Sequence, residues 1–249
     1  MTYQEININD DLIVAQETPA QSKGQEFKDL VSGVYRCKIK QAYVRLSKSS
    51  NAVGLNLTLD ILKDHKGNDY INTLKDITVW YIKGDGSISD YGTGLLGSML
   101  GILGLPKKLG GEAFQDGLAD CKEFNKDTGK YSHYDMEATL MPSLAGKEIW
   151  ILIGLVYDLY NGNQTKNYSI NSFYNDNMQS YNEARQGTPP ELWSKRLASV
   201  QKKEKKTMEE TSLSGEAAHS QSYSQPTQAN ANQGYNANNI EVKQEECPF

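Results

Sequence analysis

Val53-Gly54-Leu55-Asn56-Leu57-Thr58-Leu59-Asp60-Ile61 alternates apolar and polar residues almost without a break. Successive strand side chains point to opposite faces, so Val53, Leu55, Leu57, Leu59 and Ile61 share one face and turn toward a core. Upstream, Gly33 opens a second alternating run, Val34 to Arg45, with Tyr35, Cys37 and Ile39 on one side and Arg36, Lys38 and Lys40 on the other. The polar loop Ser47-Lys48-Ser49-Ser50-Asn51 joins the two. Downstream, the turn cluster Lys63 to Asp69 leads into a third strand over Tyr70 to Lys83, strongest at Ile77-Thr78-Val79-Trp80-Tyr81-Ile82.

A Gly- and Ser-rich stretch, 84–94, separates these strands from Leu95-Leu96-Gly97-Ser98-Met99-Leu100-Gly101-Ile102-Leu103. Leu95, Leu96, Met99, Leu100 and Leu103 fit helical spacing, which predicts a short buried helix ending before Pro106. Its glycines allow close packing on a sheet while weakening the helix in isolation. Residues 106–140 read as irregular and mixed in charge, with Asn125 to Lys130 as a turn. A fourth strand is expected over Glu148 to Tyr160, a hairpin turn at Asn161-Gly162-Asn163 and a fifth strand over Asn167 to Tyr174.

Three strands, a helix and a two-stranded hairpin follow the order of the OB-fold, a five-stranded Greek-key barrel whose helix lies between strands three and four. The expectation is therefore a mainly β chain with that barrel at 32–175. An acidic arm at 1–31 precedes it and adds an edge strand. Thr188-Pro189-Pro190-Glu191 reads as a capping box that starts a C-terminal helix running to about Lys206, with Leu192, Trp193, Leu197 and Val200 on its apolar stripe. Residues 176–207 thus form a linker and helix. From about Ser212 to Asn239 Gln, Asn, Ser, Ala and Gly dominate, too poor in apolar groups to offset ordering entropy, which predicts a disordered tail over 208–249.

Charge is balanced in the body: residues 32–175 hold 16 Lys+Arg and 15 Asp+Glu, and the net −5 of the chain comes mostly from its ends. The strongly basic balance that is the usual footprint of a DNA-binding domain is missing overall, which counts against DNA binding. Cations concentrate locally instead. Arg36, Lys38, Lys40, Arg45, Lys48, Lys63 and Lys66 face only Asp60 and Asp64 between residues 36 and 66. Single-strand binding needs a positive groove that tracks phosphates and aromatic rings that stack bases. The aromatic candidates are Tyr43, Tyr70, Trp80 and Tyr81; Trp150, inside an apolar run, reads as core. The structural alternative for the lysines is a solvated strand face that also guards against edge aggregation.

Cys37, Cys121 and Cys247 are far apart, no CxxC pair exists, and His65, His133 and His219 are scattered, so neither a metal nor a cofactor is expected. No run approaches the roughly 18 apolar residues of a membrane span, and the N-terminal sequence lacks the basic start and apolar centre of a signal peptide, which points to the cytoplasm. Carboxylates crowd 112–137, at Glu112, Asp116, Asp120, Glu123, Asp127, Asp135 and Glu137. A metal-dependent nuclease using them is the competing function class, and a virion structural β-protein is a third. No nucleophile elbow, zinc signature or P-loop supports an enzyme.

Gly33-Val34-Tyr35, the basic strand, the polar loop before the alternating strand, the Lys66-Gly67 turn and Leu144-Ala145-Gly146-Lys147-Glu148 together resemble a phage family of OB-fold single-stranded DNA-binding proteins, over roughly residues 32–175. The resemblance implies a sequence-independent single-strand binder in phage DNA replication or recombination, with oligomerisation left open. The segment Glu245-Glu246-Cys247-Pro248-Phe249 is similar to the acidic tip of the bacterial single-stranded DNA-binding proteins. That likeness implies recruitment of replication or recombination proteins through Glu245, Glu246, Pro248 and Phe249 on a flexible tether, which raises their local concentration.

Overall fold

The computed structural model describes residues 6–7, 22–23, 30–47, 49–125, 130–160 and 163–220. Five long strands dominate: β3 (Gly33–Leu46), β4 (Val53–Asp64), β5 (Asp69–Ile82), β9 (Glu148–Tyr160) and β10 (Asn163–Tyr174). They form one antiparallel sheet in the order β10-β9-β3-β4-β5. Two short strands come from the N-terminal segment. β1 (Ile6–Asn7) pairs with β6 (Lys108–Leu109), and β2 (Ser22–Lys23) pairs with β10 at Tyr168 and Asn167. The expected edge strand of the arm is β2. The sheet is open. Its hydrogen-bonded path runs from β2 to β5 without closing, so the closed five-stranded barrel is not reached among the described residues. β5 nonetheless comes close to both β10 and β2.

The alternation of β4 sets the core. Leu55, Leu57, Leu59 and Ile61 are buried against Tyr35, Cys37 and Ile39 of β3, Ile77, Val79 and Tyr81 of β5 and Ile151 and Ile153 of β9. Each such side chain contributes roughly 1.5–3 kcal/mol relative to exposure. α1 (Asp90–Ile102) plugs this core with Leu95, Leu96, Met99 and Leu100, and the Ser89 hydroxyl caps its N-terminus by accepting from the Gly92 N–H. The close approach to the sheet falls on Gly92, where a Cβ would meet the Trp80 carbonyl oxygen at 1.8 Å, so any larger residue there must push α1 off β5.

The sheet's other face is covered in two places. At one end α3 (Leu192–Ser220) lays Leu197, Trp193 and Val200 on Val34, Trp150, Leu152 and Tyr174. Farther along, the stripe becomes polar. Ser32 N–H donates to Glu204 Oε2, and Tyr157 N–H, on the stretch of β9 beyond its pairing with β3, donates to the Thr207 hydroxyl. Those hydrogen bonds carry the helix past Lys206, the expected end, through Ser220 inside the segment expected to be tail. Residues 221–249 lie outside the described residues.

The start of α3 also differs from expectation. The capping box belongs to α2 (Tyr181–Gln186), where the Ser180 hydroxyl accepts from Glu183 N–H and the Glu183 carboxylate accepts from Ser180 N–H. The Thr188 hydroxyl donates to the Glu183 carbonyl instead of capping α3.

The second cover replaces most of the expected irregular stretch. Residues 115–140 form a hairpin of β7 (Gln115–Asn125) and β8 (Lys130–Leu140) in continuous register. Its residues Ala119 and Cys121 bury Tyr43 of β3. No described helix is long and apolar enough to cross a membrane.

Candidate nucleic-acid interface

A bulge in β3 sets which basic residues share a face. Ile39 pairs with Leu59 and Gln41 with Thr58, so Lys40 is the extra residue. A bulge shifts the side-chain phase by one. Tyr35, Cys37 and Ile39 point into the core before it, and Ala42 does so after it. Arg36, Lys38, Gln41, Tyr43 and Arg45 therefore share the outer face. Strand register extends this face across the sheet in rows: Trp150–Arg36–Lys63, Glu148–Lys38–Asp60–Thr73, Tyr43–Asn56–Thr78 and Arg45–Gly54–Trp80.

The cations differ in availability. Arg36 is committed, with Nε 2.9 Å from Glu148 Oε2 and Nη1 2.7 Å from Asp176 Oδ1. Its hydrogen bond to Glu148 is the largest cause holding its pKa above the ordinary guanidinium value. Arg45 Nη1 stands 3.9 Å from Asp76 Oδ1. Lys63 Nζ lies 5.9 Å from the Trp150 ring centroid, in cation–π range. Lys38, Lys40 and Lys66 are exposed and form no ion pair among the described residues. Lys48 is outside the described residues.

The two acids of this stretch are occupied. Asp60 accepts from the Thr73 hydroxyl at 2.6 Å. Asp64 accepts from Lys66 N–H, Asn68 N–H and Asn68 Nδ2, closing the β4–β5 turn. Burial pushes the Asp64 carboxyl up, and these hydrogen bonds outweigh it, leaving the pKa below the ordinary carboxylate value.

The aromatic candidates separate sharply. Tyr81 is buried in the core. Tyr43 is buried beneath the hairpin, with its hydroxyl donating to Asp76 Oδ1 at 3.1 Å; burial, then the Asp76 charge, drives its pKa up. Tyr70 packs on the core and meets Tyr35 edge-on, with centroids 5.4 Å apart. Trp80 alone of the four is half-buried on the outer face, lying over Gly54, where a Cβ would come within 2.8 Å of the indole. Neither Tyr43 nor Tyr81 presents a ring face to solvent.

The hairpin contributes what the sequence reading missed. Between it and the end of β3 runs a groove of about 870 Å³, with Tyr43, Arg45, Leu46 and Asp76 on one side and Asp116, Leu118, Tyr134, Met136 and Glu137 on the other. The usable signal was the Asn125–Lys130 turn, since a turn between two runs of similar length marks a hairpin. Of the carboxylates considered for a nuclease, Glu112, Asp116, Asp120, Asp135 and Glu137 are exposed. Among the described residues no three His, Cys, Asp or Glu side chains gather to hold a metal ion. Cys121 is buried, its thiol 3.6 Å from the Tyr43 hydroxyl, and burial raises its pKa. Glu245, Glu246, Pro248 and Phe249 lie outside the described residues.

No protein-family model and no curated protein matches the sequence.

Proposed function

We propose that this chain is a sequence-independent single-stranded DNA-binding protein with an OB-like architecture. The observation that carries the reading is the combination of strand order and charge. The path β10-β9-β3-β4-β5, with α1 and the β7–β8 hairpin between β5 and β9, supports an OB-like order, although no ladder joins β5 to β10 among the described residues. Lys38 and Lys63 stand on the outer face of its β3–β4 pair, with Lys40 at the β3 bulge and Lys66 in the β4–β5 turn both exposed, while Asp60 and Asp64 are engaged in local hydrogen bonds. Phosphates of a single strand follow these lysines, and Trp80 offers the one half-exposed ring of the face for stacking. Arg36, tied to Glu148 and Asp176, orients the strands and takes no phosphate. Recruitment of replication or recombination proteins we assign to Glu245, Glu246, Pro248 and Phe249, where carboxylates flank an apolar ring.

A fluorescence titration with oligo(dT), set against duplex of equal length, tests the reading. Tighter binding to the single strand, weakening as salt rises because neutralised phosphates release their counterions, is the expected result. Equal affinity for duplex, or affinity indifferent to salt, overturns it.

A further inference from the structure

The groove beneath the β7–β8 hairpin has a chemistry unlike the lysine row. β8 pairs with β3 at a single residue pair, Tyr43–Leu140. Beyond it no β3–β8 pair is formed among the described residues, and Val44–Leu46 and Ala138–Thr139 both line the groove. β4 pairs with one edge of Val44–Leu46, and among the described residues no strand pairs with the other. An unpaired edge of this kind is a template for an added strand.

Four of the nine large apolar side chains exposed among the described residues, Leu46, Leu118, Tyr134 and Met136, line this one groove. Exposed apolar groups concentrated in a cleft mark binding sites. Three acids, Asp76, Asp116 and Glu137, stand there against one cation, Arg45, which is itself 3.9 Å from Asp76. Asp76 is further held at φ 62°, an uncommon conformation outside glycine, by bonds from the Tyr43 hydroxyl and Asn56 Nδ2. A net negative lining opposes phosphates. It equally opposes the acidic segment around Glu245 and Glu246 of this same chain.

From this we infer that the groove is a docking site for an extended peptide segment of a partner protein, alternating basic and apolar residues and lying as an added strand along Val44–Leu46. The inference does not depend on DNA binding by the lysine row.

The test uses the full chain and two fluorescent eight-residue peptides, one alternating Val and Lys, the other alternating Val and Glu. The Val-Lys peptide binds and slows amide exchange at Val44–Leu46 and Ala138–Thr139; the Val-Glu peptide does not. Asp116→Lys with Glu137→Lys weakens binding at least tenfold, and Leu118→Ser weakens it severalfold. All three side chains are exposed, so the thermal midpoint stays unchanged. Glu112→Lys, on an exposed acid outside the groove lining, is the control for diffuse attraction and leaves affinity unaltered. Equal binding of the two peptides, an equal loss from Glu112→Lys, or protection of the same amides by oligo(dT) in place of the peptide overturns the proposal.

Discussion

Gln41 and Asp120 are joined by two hydrogen bonds: the Gln41 Nε2 donates to the Asp120 carbonyl at 3.2 Å, and the Asp120 N–H donates to the Gln41 Oε1 at 3.0 Å. The side-chain amide thus does for β7 what a peptide group does in a ladder. It clips the hairpin to β3 two residues from Tyr43, the residue that the hairpin buries. The position of one wall of the groove is set by this clip.

Gln41→Ala removes both hydrogen bonds to the Asp120 backbone and should cost about 1–2 kcal/mol for two modest hydrogen bonds. Faster amide exchange at Asp120, with unchanged exchange at Leu57 in the core, is the expected pattern. Uniform acceleration would mean that the hairpin opens only when the whole sheet does.

Lys38→Glu with Lys40→Glu should weaken oligo(dT) binding roughly tenfold or more at low salt and flatten the salt dependence by about 0.7 for each phosphate no longer neutralised. Both side chains are exposed, so the thermal midpoint should hold. Binding that survives with its salt slope intact would place the phosphate path elsewhere.

Arg36→Glu should behave differently from its neighbours. It sets a third carboxylate between Glu148 and Asp176, replacing two ion pairs with two repulsions. A loss of about 1–2 kcal/mol in stability is expected, partly relieved by high salt. Thermal melts of the three single variants Arg36→Glu, Lys38→Glu and Lys40→Glu would separate the structural cation from the free ones.

The contrast among these residues shows what the sequence could and could not tell. The strand pattern of β4 was legible because a single face of large aliphatic residues repeats without interruption. The bulge at Lys40 was not, since lysine carries no conformational preference that marks a bulge, and simple alternation from Arg36 places Tyr43 and Arg45 on the core side. The hairpin escaped because the positions it buries on Tyr43 are Ala119 and Cys121, too small to show as an apolar stripe. α3 outran its expected end because Glu204, Thr207 and Thr211 dock it through hydrogen bonds, which hydrophobic periodicity does not register. The cations were visible from composition; that Arg36 is a paired one depended on Glu148 and Asp176, more than a hundred residues away in the chain.

Glu183 provides the last test. Its carboxylate is buried, yet it accepts from Ser180 N–H at 2.8 Å and from both Glu191 N–H and Leu192 N–H at 2.9 Å, so one side chain caps α2 and starts α3. Burial pushes its pKa up most strongly, but the hydrogen bonds together hold it below the ordinary glutamate value. A carboxylate depressed in the folded state contributes stability that is fully present above its unfolded pKa of about 4.3 and is lost as pH falls through the lower folded value. Glu183→Gln replaces one accepting oxygen with an NH₂ that faces N–H donors, and should cost about 2–3 kcal/mol near neutral pH. The difference between wild type and variant should shrink on acidification from about pH 7 to about pH 2, since protonated Glu183 loses the same charge-assisted bonds. Thermal melts across that range measure it. A gap between the two proteins that stays constant with pH would show that the carboxylate's charge plays no part in joining α2 to α3.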